Sequence, residues 1–464
     1  MPSAMALLSP TPIGVIWITL AIYLIIVLGS FIAARNDYIL ASKVRRGIAA
    51  ASCIGSLLVA PIAPYLAWPD ARVETLSLCA WWLVSCVTFV GALRIYDLVY
   101  LREPTEIKSM PALQFFAILL FNPEPSYFQQ KPRRHHKRFV HPTWTVGAVL
   151  PTKAMILFLL LLGPVTDDFE KQMLRDLFTW NMFTLRYLIG GMMLGCCFYP
   201  TLSIPFDLIL AFGELVTGVP MNPLFQNPLF STSMRDFWSG RWNMLVKNTF
   251  HRAVFDPSVQ NISEQIQVVK EVVSNHSLEP IQNMVKKVVL SSNDSKEELK
   301  QSTETKPVTN GHVNGDAEHK GVNGHAKEAS HHGKGKKKGF TLSSTLASLQ
   351  VFLVSGVSHD WLNFVAFHTF RGDNMLFFLI HGLLTTLQVA FKYLAPATIN
   401  RALNDLPKPV KILSMWIIMG FTCPIFMRQY LESGFYTEVR VFAKASVKAL
   451  AAMADRPGGI YSYF

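Results

Sequence analysis

The sequence predicts an all-α fold, a polytopic transmembrane helical bundle of about eight or nine spans. Three observations lead there. Half of the 464 residues are hydrophobic and only 16% are charged, against roughly 25% in an average soluble chain; mean hydropathy is +0.28. The apolar residues gather in runs of about 20, the length that crosses a ~30 Å hydrocarbon core as a helix. The loops between these runs are short and rich in Lys and Arg. A soluble enzyme, a secreted disulfide domain and a disordered chain are excluded for the bulk of the sequence.

The first run, Pro12–Ala34, is too long for a signal-peptide core and has no basic stretch before it, so it is expected to stay as a membrane helix. Gly47–Trp68 and Leu76–Ile95 follow, giving residues 1–110 as an N-terminal set of spans. Residues 111–221 form a central set. In it Ala112–Phe121 is short enough to be re-entrant or interfacial, Trp144–Gly163 is a span, and Tyr187–Val219 is expected as two segments broken near Pro200 and Pro205. Thr341–Ser358, Met375–Ala395 and Ile412–Arg428 complete the bundle within residues 341–430, and 431–464 is expected as a tail. Two short basic loops, Arg35–Arg46 and the denser KPRRHHKR at 131–138, are placed on the cytoplasmic side. The second also suits anionic lipid headgroups or a phosphorylated cosubstrate, although a topological anchor needs neither.

Composition changes abruptly after Val259. The stretch ISEQIQVVKEVVSNHSLEPIQNMVKKVV suits an amphipathic helix, and the remainder of 258–340 is low-complexity polar sequence expected as a disordered loop. Six of the 13 histidines lie there without metal-type spacing, so solvated linker is favoured over a metal site. Asp256 to Lys338 holds 12 Lys/Arg and 11 Asp/Glu, which leaves nearly all of the +12 charge with the membrane body. No nucleic-acid partner is expected. All six cysteines sit in apolar runs without CxxC spacing, which fits small hydrophobes and neither disulfides nor metal.

Few residues can carry chemistry within the apolar body. An ionisable group at membrane depth is costly and usually faces a protein interior or a wet cavity. His359 stands in VFLVSGVSHDWLNF at the end of an apolar run, after the small residues Ser355, Gly356 and Ser358 that permit close helix approach. Its imidazole suits proton abstraction from an alcohol; a histidine hydrogen-bonded to a neighbouring helix fits the spacing equally well. Asp360 follows it and is a candidate to orient the ring, although neighbours on one helix point apart. His381, in FFLIHGLLTTLQ, fits a structural histidine better, and His368 lies in a less apolar, interfacial stretch. The other concentration is residues 222–257, where aromatics interleave with Arg235, Arg241, Lys247 and Arg252. That mixture suits an amphipathic helix at the membrane surface. Ser231–Thr232–Ser233 offers an N-cap and Asp236 a first-turn acid, while Asn243 supplies an amide that both donates and accepts.

These segments carry a resemblance. STSMRDFWSGRWNMLV resembles the signature of the wax synthase branch of the membrane-bound O-acyltransferase (MBOAT) superfamily, which reads S-L-x-D-F-W-G-R-R-W-N before apolar residues. VFLVSGVSHDWLNF resembles its second signature, an apolar run ending Ser-Gly-x-x-His-Asp/Glu. FFLIHGLLTTLQVAFKY resembles a third, Phe-Phe-Leu-x-His-Gly. Order and spacing agree once the polar insert is excised, over roughly residues 190 to 430. Two positions depart from the pattern: Ser239 replaces Gly and Gly240 replaces Arg, which puts a phosphate contact of that Arg in doubt.

The resemblance implies acyl transfer from acyl-CoA to a lipophilic alcohol in the endoplasmic reticulum membrane. His359 would be the general base and Asn243 its polar partner. Asp236, Trp238, Arg241, Trp242, Asp360 and His381 would support or bind substrate, and no tightly bound cofactor or metal is expected. Long-chain alcohols are the family default. Acetyl transfer to a terpenoid or other secondary-metabolite alcohol is the alternative, and a lipid-binding protein or transporter is the reading from a different class.

Overall fold

The computed structural model describes residues 12–35, scattered positions between 44 and 58, 78–123 except 103, 149–275 and 341–454. The Gly47–Trp68 span falls largely outside the described residues, and the 131–138 basic loop and the low-complexity stretch from 276 to 340 fall wholly outside them. Among the described residues all named elements are helical, and strand-type pairing is confined to an isolated antiparallel bridge, Pro123 to Met221.

The principal helices are α1 (Pro12–Arg35), α2 (Leu78–Ile95), α3 (Leu150–Leu162), α4 (Asp167–Leu177), α5 (Leu185–Thr217), α6 (Met244–Phe250), α7 (Leu342–Phe367), α8 (Asp373–Leu394), α9 (Lys408–Glu432) and α10 (Phe435–Ala454). Among the described residues four helices are long and apolar enough to cross a membrane: α2 with its continuation to Val99, α5, α8 and α9. A fifth span results if α3 and α4, bent by 81° about a short break, count as one. The chain is an integral membrane protein. The eight or nine spans expected from the sequence are not all found among the described residues.

Three local expectations change. The stretch Tyr187–Val219 is not broken at its prolines: α5 runs 33 residues through Pro200 and Pro205. Proline removes one backbone bond each time, a loss that a helix packed among neighbours sustains in a membrane. The apolar run ending at Ser358 continues as helix to Phe367, so His359 stands inside α7, not at its end. Its 26 residues rise about 39 Å. The stretch expected as a tail carries α10, where buried Arg440 bonds to the Val165 carbonyl and pairs with Glu170 and Asp167. Between α3 and α5 the Lys153 ammonium meets the Asp207 carboxylate at 2.5 Å.

The chain divides into two compact units, Met1–Pro257 with Ser348–Phe464, and Ser258–Ala347. In the smaller unit, the described part of the amphipathic stretch expected after Val259 is helical within Asp256–Asn275, its remainder lying outside the described residues, and Thr341 caps the start of α7 by accepting from the Ser344 amide. The larger unit holds the core. Phe198 of α5 meets Phe426 at 5.2 Å and Tyr430 at 5.6 Å, both on α9, and Trp82 of α2 meets Phe435 at 5.5 Å. At the α5–α9 crossing a Cβ on Gly191 would overlap the Gly420 carbonyl, so the two backbones touch there.

Candidate active site

The segment 222–257 is not one amphipathic helix. It is a chain of short pieces: a 3₁₀ turn Pro228–Phe230, one α turn Met234–Asp236, wide turns Phe237–Arg241 and His251–Phe255, and α6. The reason lies in its aromatics, which point in several directions and enter the bundle. Phe237 and Phe250 are buried, and Trp242 packs on Phe225 at 5.0 Å, Phe237 at 5.2 Å and Phe198 at 6.3 Å. The expected cap is present: Ser233 Oγ accepts from the Asp236 amide at 3.0 Å. Hydrogen bonds from three side chains pin the segment to the helices. The Trp416 indole donates to the Leu229 carbonyl at 2.9 Å, the Trp238 indole to His381 Nδ1 at 3.1 Å, and Arg252 forms a bidentate pair with buried Asp97 at 2.7 Å.

Asp236 and Arg241 form the internal brace of the segment. Asp236 Oδ2 accepts from the Thr232 amide, the Thr232 hydroxyl and Arg241 Nε at 2.9–3.2 Å. Burial pushes its carboxyl up, but the Thr232 amide and the Arg241 guanidinium outweigh that and hold it below the ordinary carboxylate value. Arg241 also donates to the Gln226 and Asn227 carbonyls. Its guanidinium is thus spent on structure.

Asn243 takes φ +40°, ψ +67°, a left-handed conformation that Asn tolerates better than most residues. It caps α6: Oδ1 accepts the Val246 amide at 3.3 Å. A backbone N–H can only donate, so the oxygen must face it. The Nδ2 amide group is left as a pure donor, with no partner among the described residues.

His359 receives the same treatment from its own helix. Nδ1 lies 2.8 Å from the Ser355 carbonyl. A carbonyl only accepts, so the proton sits on Nδ1, and Nε2 carries the lone pair. Nε2 has no hydrogen-bond partner among the described residues. Phe378 and Phe426 pack on the ring with centroids at 4.6 and 5.6 Å. Gly356, expected to allow close approach, does so: a Cβ there would come within 2.6 Å of the Met375 backbone.

Asp360 does not orient His359. Its carboxylate is 1% exposed and turns to the start of α8, accepting from the amides of Asn374 and Met375 at 3.3 and 3.1 Å and from Asn374 Nδ2 at 3.3 Å. The residue before α8, Gly372, has no side chain to cap it, so Asp360 supplies the cap from the neighbouring helix, where the helix dipole favours an anion. Asp360→Ala would strand two buried amides and is expected to cost about 1–3 kcal/mol. A lowered thermal midpoint in detergent, with partial recovery in Asp360→Asn, is the corresponding measurement.

His381 is fully occupied. The Trp238 indole can only donate, so His381 Nδ1 accepts and Nε2–H donates to Thr422 Oγ1 at 2.8 Å; that hydroxyl in turn donates to the Ile418 carbonyl at 2.9 Å. Neither ring nitrogen is free to act as a base, so His381 braces Trp238. His368 is exposed, with φ +55°, and ends α7.

A cavity of about 120 Å³ brings the two chemical candidates together. His359, Asn243, Trp238 and Trp242 line it, as do Tyr199, Tyr430, Phe378 and Phe426; Asp236, Arg241, Asp360 and His381 do not. Ser355 and Thr422, which set the proton positions on the two histidines, and the cavity wall from α5 and α9 were missed from sequence. The acceptor on Ser355 is its backbone carbonyl, which any residue four before a histidine in a helix would supply, so its identity carries no sequence signal.

Several curated proteins are similar to this chain. "Probable long-chain-alcohol O-fatty-acyltransferase 2" of Arabidopsis thaliana is 42% identical over 174 residues, 37% of this chain and 44% of that protein. "Putative long-chain-alcohol O-fatty-acyltransferase 10" is 24% identical over 229 residues, 49% of this chain and 58% of that protein. "Acyl-CoA–sterol O-acyltransferase 1" is 32% identical over 65 residues, 14% of this chain and 19% of that protein; both are also from Arabidopsis thaliana. The chain thus spans less than two thirds of the length of each of these relatives. No family model matches it. The similarity is to proteins named as O-acyltransferases.

Proposed function

We propose that this protein is a wax synthase-like membrane O-acyltransferase that moves an acyl group from acyl-CoA to a lipophilic alcohol. One observation carries the reading. His359 has Nδ1 committed to the Ser355 carbonyl and Nε2 without a partner among the described residues, and it lines an aromatic cavity together with Asn243, whose side-chain oxygen is committed to the α6 cap.

In the proposed reaction Nε2 takes the hydroxyl proton as the alcohol oxygen attacks the thioester carbonyl carbon. The new C–O bond places negative charge on the former carbonyl oxygen, where the Asn243 amide donates. The C–S bond then breaks, and His359 returns the proton to the CoA thiolate, giving ester and free CoA. No covalent acyl-enzyme is needed. Arg235 and Lys247 have no acidic partner among the described residues and are the cations of the segment left to meet CoA phosphates. The endoplasmic reticulum membrane is the proposed location, where a lipophilic alcohol dissolves and CoA arrives from the aqueous side.

The test offers isolated membranes carrying the protein a matrix of acyl-CoA lengths and alcohols. Thiol release is followed optically and products by mass spectrometry. The expected result is alcohol-dependent thiol release matched by ester. Thioester consumption that ignores the alcohol, or none with any pair, would overturn the assignment.

A further inference from the structure

We infer that the connector between α8 and α9 is a docking surface for acidic phospholipid. Its helix Ala397–Asp405 lies flat at the bilayer surface with its apolar face in the lipid, and Lys392, Arg401 and Lys408 meet the headgroups. The inference concerns the membrane and not the reaction, so it stands apart from the acyl-transfer reading.

Both α8 and α9 are long and apolar enough to cross a membrane, so the short connector that joins them sits at one face of the bilayer. A nine-residue helix fills most of it. Ile399, Ala402, Leu403 and, just past the helix end, Leu406 recur at i, i+3, i+4 and i+7, which makes one apolar face. Among the described residues nothing buries that face: Ile399 and Leu403 are each 44% exposed and Leu406 39%. The polar side is the one tied to the spans. Asn400 Nδ2 donates to the Lys392 and Ala395 carbonyls at the end of α8, and Lys411 at the start of α9 donates to the Asn404 carbonyl. These bonds hold the helix across the span ends and leave its apolar face bare. A helix of this pattern at a bilayer face buries its apolar side at the boundary between headgroups and acyl chains.

Charge selects the kind of lipid. Lys392, Arg401 and Lys408 are exposed and have no acidic partner among the described residues, and Asp405 is the one acid between positions 392 and 411. The patch complements acidic headgroups, whereas a second copy of the chain would bring like charges together. The same end of the bundle holds the segment that carries Asn243, because Gln388 Oε1 of α8 accepts the Arg235 amide at 3.2 Å and Trp416 of α9 holds the Leu229 carbonyl.

The experiment attaches one fluorophore at a time through Ile399→Cys, Leu403→Cys or Asn404→Cys in liposomes, with labelled wild type as the background for the native cysteines. The liposomes carry a chain-brominated quencher lipid with either a phosphatidylserine or a phosphatidylcholine headgroup. Labels at 399 and 403 are expected to be quenched more strongly than the label at 404. The serine lipid is expected to be preferred at least about 5-fold, the factor that one cation near an anionic surface supplies. That preference should vanish in Lys392→Gln/Arg401→Gln/Lys408→Gln while quenching by the choline lipid persists. Arg401→Gln alone, expected to lower the preference, decides the matter if the triple variant fails to fold. Labels at 399 and 403 that neither lipid reaches would show that protein covers the face and overturn the inference. Equal quenching by the two headgroups, or a preference that survives the loss of the cations, overturns it as well.

Discussion

His359→Ala is expected to lower alcohol-dependent thioester consumption by about 10²–10⁴-fold, the usual worth of a positioned general base. The prediction follows from the proton inventory of the ring. Nδ1–H is held by the Ser355 carbonyl, so the atom lost to chemistry is Nε2 of a residue that lines the aromatic cavity. Alanine also removes ring contacts with Phe378 and Phe426 and opens space, so a second substitution is required. In His359→Asn the side-chain amide can still donate to the Ser355 carbonyl but offers no basic nitrogen. Comparable losses in Ala and Asn, with Asn keeping the wild-type thermal midpoint, locate the effect at Nε2. Wild-type turnover in His359→Asn removes the base assignment.

The sequence carried the membrane character and the local caps of the 222–257 segment, for different reasons. Long apolar runs are a property of composition, and α8 and α9 lie close to the expected Met375–Ala395 and Ile412–Arg428. Ser233, Asp236 and Asn243 are local signals, since a cap acts within one turn of its own helix. What escaped is what depends on another part of the fold. Asp360 stands next to His359 in sequence but serves the start of α8, fourteen residues away, through backbone amides that carry no sequence signal. His381 reads as a structural histidine, but its partners Trp238 and Thr422, 143 and 41 residues distant, which occupy both its nitrogens, could not be named from sequence. Pro200 and Pro205 read as breaks because local bonding is all that a sequence exposes, whereas the packed neighbours of α5 tolerate both.

The same logic separates the arginines. The resemblance left Arg241 either a structural or a cosubstrate role, and its guanidinium closes the Asp236 brace and two carbonyls of the preceding loop. Its effect on the site runs through the loop that carries Trp242 and Asn243. Gly240, one of the two departures from the pattern, has room for a Cβ, with Asp236 Oδ1 at an ordinary 3.4 Å.

Asn243→Asp is expected to reduce turnover by about 10²–10³-fold, the loss measured when one oxyanion donor is removed. The choice of aspartate follows from the two jobs that the side chain performs. Its oxygen caps α6 through the Val246 amide, and a carboxylate caps at least as well at a helix start. Aspartate also accepts the left-handed backbone at this position, where φ is +40°. Folding should therefore survive, and only the donor in the cavity is exchanged for an acceptor that repels a developing oxyanion. The charge to be stabilised appears only as the alcohol attacks, so kcat and kcat/KM should fall together while KM stays nearly constant. Asn243→Gly frees the backbone but loses cap and donor alike, so it should lower both the thermal midpoint and the rate. Full turnover in a correctly folded Asn243→Asp protein would sink the oxyanion role and leave Asn243 as a helix cap alone.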